Sequence, residues 1–180
     1  MLLTLTCHPD TPCEAVSRIE VNLARGARGS LALRYVAIGD ISRLSIPQRR
    51  PGGRADELWK ATCFEAFVRT DGGYAEINLS PSGRWAAYQF AGYRMGDMAQ
   101  LDGVSLDHMT QRTGEGLYEL VATLDLTRLS GLSATGPWRL GLSAVIEEAG
   151  GRKSYWALAH APDKPDFHHP DSFACVLEPA

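Results

Sequence analysis

Tyr74-Ala75-Glu76-Ile77-Asn78-Leu79-Ser80-Pro81-Ser82-Gly83 is the stretch that decides the fold. Side chains along a strand alternate between its two faces. Ala75, Ile77 and Leu79 therefore share one face, and Tyr74, Glu76, Asn78 and Ser80 share the other. One face reads as core; the other is polar, with an aromatic ring at its edge. Asp71-Gly72-Gly73 in front of it is a turn between two strand-like runs. Pro81-Ser82-Gly83 behind it is a second turn, in which Pro pre-sets φ and Gly can take a positive φ.

Working outward, Trp59 to Val68 reads as the strand before this one. Trp59, Ala61, Cys63, Glu65 and Phe67 share one of its faces. Glu65 thus stands among apolar neighbours, and burial there would require its carboxyl to be paired, hydrogen-bonded or neutralised. Two roles stay open for it, a structural bond to an arginine or turn amide, or contact with a ligand. Arg84 to Phe90 is the third strand of the set and leads into Gly92-Tyr93-Arg94.

Short strands separated by turn signals continue in both directions. They are expected at 2–6, 16–23, 30–38, 104–112, 117–124, 138–146, 153–158 and 173–177, with one helical turn at 126–132. Leu31, Leu33 and Tyr35 share a face, as do Tyr118, Leu120, Ala122 and Leu124, and so do Trp138, Leu140, Leu142, Ala144 and Ile146. Helical periodicity is nearly absent. The pattern predicts an all-β chain, a sandwich or jelly roll, forming one domain over 1–180.

A hydrophobic content of 44% over 180 residues can fill a sizeable core. The net charge of −3 and a pI near 5.9 argue against a nucleic-acid backbone binder, which carries a basic field. Arg43, Arg49, Arg50 and Arg54 do gather in one Pro- and Gly-broken stretch. It reads as a solvated, mobile loop, or as an anion-contacting lid over the neighbouring sheet face. The N-terminal apolar run is too short for a signal segment. No stretch approaches the ~20 apolar residues of a membrane span. The expectation is a cytoplasmic protein without nucleic-acid or membrane partners.

The chemistry-bearing motifs are few. No nucleophile elbow, phosphate loop, dinucleotide fingerprint or zinc-protease helix occurs. Cys7, Cys13, Cys63 and Cys175 make no Cys-x-x-Cys pair; Cys7 and Cys13 flank a turn and could bridge or bind metal, and Cys63 reads as a small buried hydrophobe. Glu65 and Glu76 could reach one cleft as an acid/base pair if their strands are neighbours. The run from Tyr155 to Asp171 gathers three histidines and three aspartates in a proline-stiffened loop. His168 or His169 could ligate a metal or haem, or the loop could pack across a sheet end with its polar groups on backbone amides. Of the aromatics, Trp138 reads as core. Trp59 and Trp156 border loops and are the candidates for stacking on a ligand ring, since small-ligand sites pair apolar walls with a few polar groups.

Three stretches carry a resemblance: Trp59-Lys-Ala-Thr-Cys63-Phe-Glu65-Ala-Phe67, Tyr74 through Tyr88, and Phe167-His168-His169-Pro-Asp171. They are similar to the bacterial DOMON-like proteins, whose fold is close to that of family-nine carbohydrate-binding modules. The resemblance runs from about Val16 to the C-terminus. It implies a β-sandwich of two antiparallel sheets with a pocket for a sugar or haem on one sheet face. Trp59, Glu65, Asn78 and Arg94 fall in the motif region and would face the ligand. A haem-binding member would use a Met and a His, for which Met95, Met98, Met109, His108, His160 and His168 are available.

The expected function is non-catalytic binding of a carbohydrate or similar polar cyclic molecule, with no cofactor. Trp59 and Trp156 would stack on it; Glu65, Asn78, Arg94 and His168 would supply polar contacts. The alternatives are a haem-binding redox domain and a small glycoside-processing enzyme using Glu65 and Glu76.

Overall fold

The computed structural model describes residues 1–96 and 100–179, apart from the side chain of Arg28. Twelve strands occupy them: β1 (Leu2–Cys7), β2 (Val16–Arg25), β3 (Ser30–Gly39), β4 (Gly53–Arg54), β5 (Cys63–Thr70), β6 (Gly73–Leu79), β7 (Arg84–Phe90), β8 (Ser105–Gly114), β9 (Leu117–Asp125), β10 (Trp138–Glu147), β11 (Lys153–Ala157) and β12 (Cys175–Leu177). Only one-turn 3-10 helices interrupt them among the described residues, including one at Leu58–Lys60 and one at Pro170–Ser172. Successive turns, not a helix, occupy 126–132. No helix among the described residues is long and apolar enough to cross a membrane, which says nothing of a β-barrel.

The strands run β4-β7-β6-β5-β10-β11-β1-β2-β3-β9-β8 in one hydrogen-bonded path, with β12 also on β10. Pairing is antiparallel throughout except for the short β4–β7 contact. The path curls at β1. Leu2 to Leu5 pair with β2, whereas Thr6 and Cys7 pair with β11. One short strand thereby serves two halves of the sheet, and the halves press their apolar faces together. Phe64 of β5 lies 5.1 Å from Tyr35 of β3 and stacks on Tyr118 of β9 at 6.0 Å. The Tyr35 hydroxyl finds its partner across this core, donating to the carbonyl of Glu65 at 2.7 Å. A buried phenol left without an acceptor there would cost about 1–3 kcal/mol.

The alternation read from the sequence sets the inward faces. Ala75, Ile77 and Leu79 are in the core, with Leu31, Leu33 and Tyr35, with Tyr118, Leu120 and Ala122, and with Trp138, Leu140 and Leu142. On β5 the inward set is Phe64, Ala66 and Val68. That leaves Cys63, Glu65 and Phe67 on the outer face, and those three are buried as well. The outer face of β5, β6 and β7 is therefore not open to solvent. A second apolar cluster lies on it, built from Phe67, Tyr74, Tyr88, Phe90, Phe167 and Phe173 among others.

Two features depart from the sequence reading. Trp59 is not in a strand; it sits on the 3-10 turn that precedes β5. The arginine-rich stretch is not a free loop. Arg50 N–H donates to Ser82 O at 2.7 Å, β4 pairs with β7, and Arg54 bonds the carbonyls of Leu101 and Val104 while stacking 4.0 Å from the Trp85 ring. An arginine that satisfies backbone carbonyls and covers an indole behaves as part of the wall it lies on.

Candidate functional site

Register brings the two carboxylates of the central strands together. Glu65 lies opposite Asn78, and Glu76, two residues back along β6, lies opposite Phe67. Glu65 and Glu76 are thus diagonal neighbours on one sheet face, within reach of long side chains. The same register puts Ser143 of β10 beside Glu65 and Tyr88 of β7 beside Glu76. Tyr155 follows on β11, opposite Val145. Glu65, Glu76, Tyr88, Val145 and Tyr155 floor a cavity of about 390 Å³, within the range of about 300–1,000 Å³ found for small-ligand sites.

The walls come from three segments outside the strands. The 3-10 turn at Leu58–Lys60 lifts Trp59 over the sheet, edge-on to Tyr88 at 5.8 Å. The turn after β7 brings Arg94, at a φ of 52°. The proline-bounded run near the C-terminus brings Pro165, Asp166, Phe167 and His168. Asp166 fixes the last two segments to each other. It accepts from the Tyr93 hydroxyl, from Arg94 Nη2 at 2.8 Å and from its own segment's His168 N–H at 3.1 Å. Burial opposes its charge, but those three donors outweigh burial and hold its carboxyl below the usual range.

His168 closes the floor. Its Nδ1 is 2.8 Å from the Tyr74 hydroxyl, which itself accepts from Arg94 N–H at 3.2 Å. Its Nε2 is 3.6 Å from Glu76 Oε2. The ring is packed edge-on against Phe67 and Phe90 at 5.3 and 5.0 Å. At neutral pH the contact with Glu76 is not an ion pair. Burial, with the Arg94 charge adding to it, pushes His168 down to about 4, so the imidazole is neutral. Glu76 Oε1 accepts from Asn78 Nδ2 at 2.8 Å.

Burial raises both carboxyls, Glu65 furthest, because the Glu76 charge adds to the effect of burial and only the Ser143 hydroxyl, at 3.2 Å, opposes it. Asn78 and Arg94 moderate the rise at Glu76. Burial thus favours the neutral form of both carboxyls, and the floor offers two closely spaced carboxyl groups to a ligand.

Of the residues singled out by sequence, Trp59, Glu65, Arg94 and His168 line this cavity. Asn78 does not. It is fully buried on the same sheet face, opposite Glu65, and donates to Glu76. Trp156 does not either, and the expectation that it stacks on a ligand is corrected here. It pairs with Ala144 and Cys7 on the inward face, is 4% exposed, and its Nε1 donates to Ser154 Oγ at 3.0 Å. Its neighbour Tyr155 faces the cavity instead, since adjacent strand residues point to opposite faces. The alternation of β10 held the signal. Ala144 is on the core face, and a hairpin at Gly150-Gly151 pairs it with Trp156. Phe90, Tyr155, Asp166 and Phe167 are lining residues that sequence reasoning did not assign.

Haem held between a Met and a His does not fit the residues present. His168 is the one histidine of the lining, with Nδ1 engaged by the Tyr74 hydroxyl, and no methionine joins it among the described residues. His160 bonds Thr6 O at 2.8 Å, Met109 packs on the core, His108 is exposed on β8, and Met98 lies outside the described residues. Cys7 and Cys13 are free thiols, and the described residues hold no group of three metal-ligating side chains.

Two solved structures share the fold. A protein from Bacteroides uniformis, provisionally assigned as carbohydrate-binding, superposes with a TM-score of 0.68 at 16% identity, over 98% of this chain and 85% of that one. A family-nine carbohydrate-binding module from Caldicellulosiruptor kristjanssonii, solved with glucose, superposes with a TM-score of 0.58 at 7% identity, over 93% of this chain and 78% of that one. At these identities the likeness is one of fold. No family model and no curated protein sequence matches the chain, so the DOMON-like resemblance stands on its motifs.

Proposed function

We propose that this chain is a single, non-catalytic, sandwich-type domain that binds a monosaccharide or a sugar end in the cavity over β5, β6 and β7. The observation that carries the reading is the cavity's make-up. Aromatic rings form its walls, and two buried carboxyls converge on its floor. Sugars combine an apolar ring face with a rim of hydroxyls, and this site offers a partner for each. Trp59 is the stacking residue. Glu65 and Glu76 bond hydroxyls, Arg94 contributes at the rim, and His168 packs beside Glu76. The two neighbours of like fold, one of them described with glucose, support the ligand class.

Calorimetric titration with a panel of monosaccharides, glucose first, tests it. Saturable heat that is lost in Trp59→Ala, with the circular dichroism spectrum kept, is the expected result. No heat with any mono- or oligosaccharide overturns the reading.

A second reading draws on the carboxyl pair. Two carboxyls whose surroundings separate their proton affinities are the equipment of glycoside hydrolysis. Turnover of aryl glycosides by the wild type, abolished in both Glu65→Gln and Glu76→Gln, would establish it in place of simple binding.

A further inference from the structure

The cavity floor carries acidic groups and, among the described residues, no basic partner for them. Glu65 is 2% exposed and Glu76 6%. Glu65 lines the cavity and has one side-chain partner among the described residues, the Ser143 hydroxyl at 3.2 Å on Oε2. Glu76 spends Oε1 on Asn78 and meets His168 at 3.6 Å on Oε2. The nearest guanidinium, Arg94, lies at the rim, is half exposed and is bonded to Asp166. A buried carboxyl pair with no close counter-charge resists ionisation unless something bound there supplies a positive charge.

The walls select for the same thing. Trp59, Tyr88, Phe90, Tyr155 and Phe167 border the same space. Aromatic faces carry negative potential and attract a cation placed over them, worth about 2 kcal/mol when water is excluded. Floor and walls are independent features, one of charge and one of ring quadrupoles. A neutral hydroxyl gains only a hydrogen bond from the first. A protonated amine uses both.

We infer that the sugar this cavity takes carries a protonated amine, with the ammonium lodged between the Glu65 and Glu76 carboxyls and the ring against Trp59. The inference rests on the sugar-binding reading of the site. Titratable and charged groups face the pair from every element around it. Cys63 is beside Glu65 on β5, Tyr88 is on β7 with Asp56 on its hydroxyl, Tyr155 is on β11, and Tyr74, Arg94, Asp166 and His168 form the outer wall. Of these only Arg94 is a fixed cation, so the ammonium would be the main positive charge at the floor. A positive charge there favours the charged forms of both carboxyls against burial, so binding is accompanied by proton release to the buffer.

Calorimetric titration with glucose, glucosamine and N-acetylglucosamine tests this, at about pH 6.5 where a free amine is charged and in two buffers of different ionisation enthalpy. The expected result is glucosamine bound at least about tenfold more tightly than the other two. Proton release should accompany glucosamine alone, and Glu65→Gln should bring the preference toward parity. Glucose and glucosamine bound equally without proton release would overturn the amine inference and leave the sugar reading standing. No binding of any of the three would overturn both.

Discussion

Nε2 of His168 stands 3.6 Å from Oε2 of Glu76, and each side chain is held from behind, the histidine by the Tyr74 hydroxyl and the glutamate by Asn78. Neither group favours its charged form there, and the consequences for pH have opposite signs. Burial holds His168 at about 4, against about 6.5 in the unfolded chain. Between those values the unfolded state takes up a proton that the folded state refuses. Stability should therefore fall as pH drops from about 6.5 to about 4, by on the order of 2 kcal/mol. Urea denaturation across that window checks it. His168→Asn, whatever its absolute stability, should flatten the slope.

Glu65 works the other way. Its folded-state proton affinity is raised, so the stabilisation of its neutral form is complete below the unfolded carboxyl value and is lost as pH rises. Glu65→Gln keeps the shape and the acceptor for the Ser143 hydroxyl without the charge. The variant should be more stable than wild type at pH 8, by about 1–3 kcal/mol, and the difference should shrink toward pH 4. Equal denaturation midpoints at both pH values would mean that Glu65 is well solvated.

These groups also show where sequence reading reached and where it stopped. Period-two alternation is a local property. Ala75, Ile77 and Leu79 could be put on the core face, and Glu65 among apolar neighbours, from the chain alone. What alternation leaves open is which strand lies beside which. Glu65 meets Ser143, and Glu76 meets Tyr88, through pairings of strands far apart or freshly turned. The wall at Asp166 and Phe167 is more remote still, since loop residues carry no period. Trp156 and Tyr155 differ by one position, which in a strand is the difference between the core face and the cavity face.

The two tryptophans should accordingly separate in their effects. Trp156 is core, and Trp156→Ala should cost about 3–5 kcal/mol and compromise folding. Trp59 stands on a turn and is only partly buried. Trp59→Ala should cost less than about 1.5 kcal/mol while removing ligand binding. Thermal melts of both variants beside a binding isotherm of the second check the pair.

The turn into β6 gives a sharper contrast between neighbours. Gly73 has a φ of +135°, and a Cβ there would stand 1.9 Å from the carbonyl oxygen of Phe90. Gly72 would meet nothing within 4 Å. Gly73→Ala must move β6 away from the end of β7, which carries Tyr88 and Phe90 into the cavity, and should lower stability by more than about 2 kcal/mol. Gly72→Ala should stay within about 0.5 kcal/mol of wild type.

Asp166 offers the test of how the site is assembled. Three donors from two segments end on its carboxyl, and its side chain is 6% exposed. Asp166→Ala leaves the Tyr93 hydroxyl, the Arg94 guanidinium and the His168 amide without their acceptor, at a cost of about 2–3 kcal/mol. The Arg94 guanidinium can recover water because its side chain is 53% exposed, so Arg94→Ala should cost less than about 1 kcal/mol. The loss in Asp166→Ala should be local. Hydrogen exchange of the amides from 163 to 169 should accelerate, while β3 and β9, in the other half of the curled sheet, keep their protection. Because those residues form one wall of the cavity, sugar affinity should fall in the same variant even though Trp59 and both glutamates are untouched. If exchange in the wall does not change, Asp166 is not what ties the C-terminal run to the Arg94 turn.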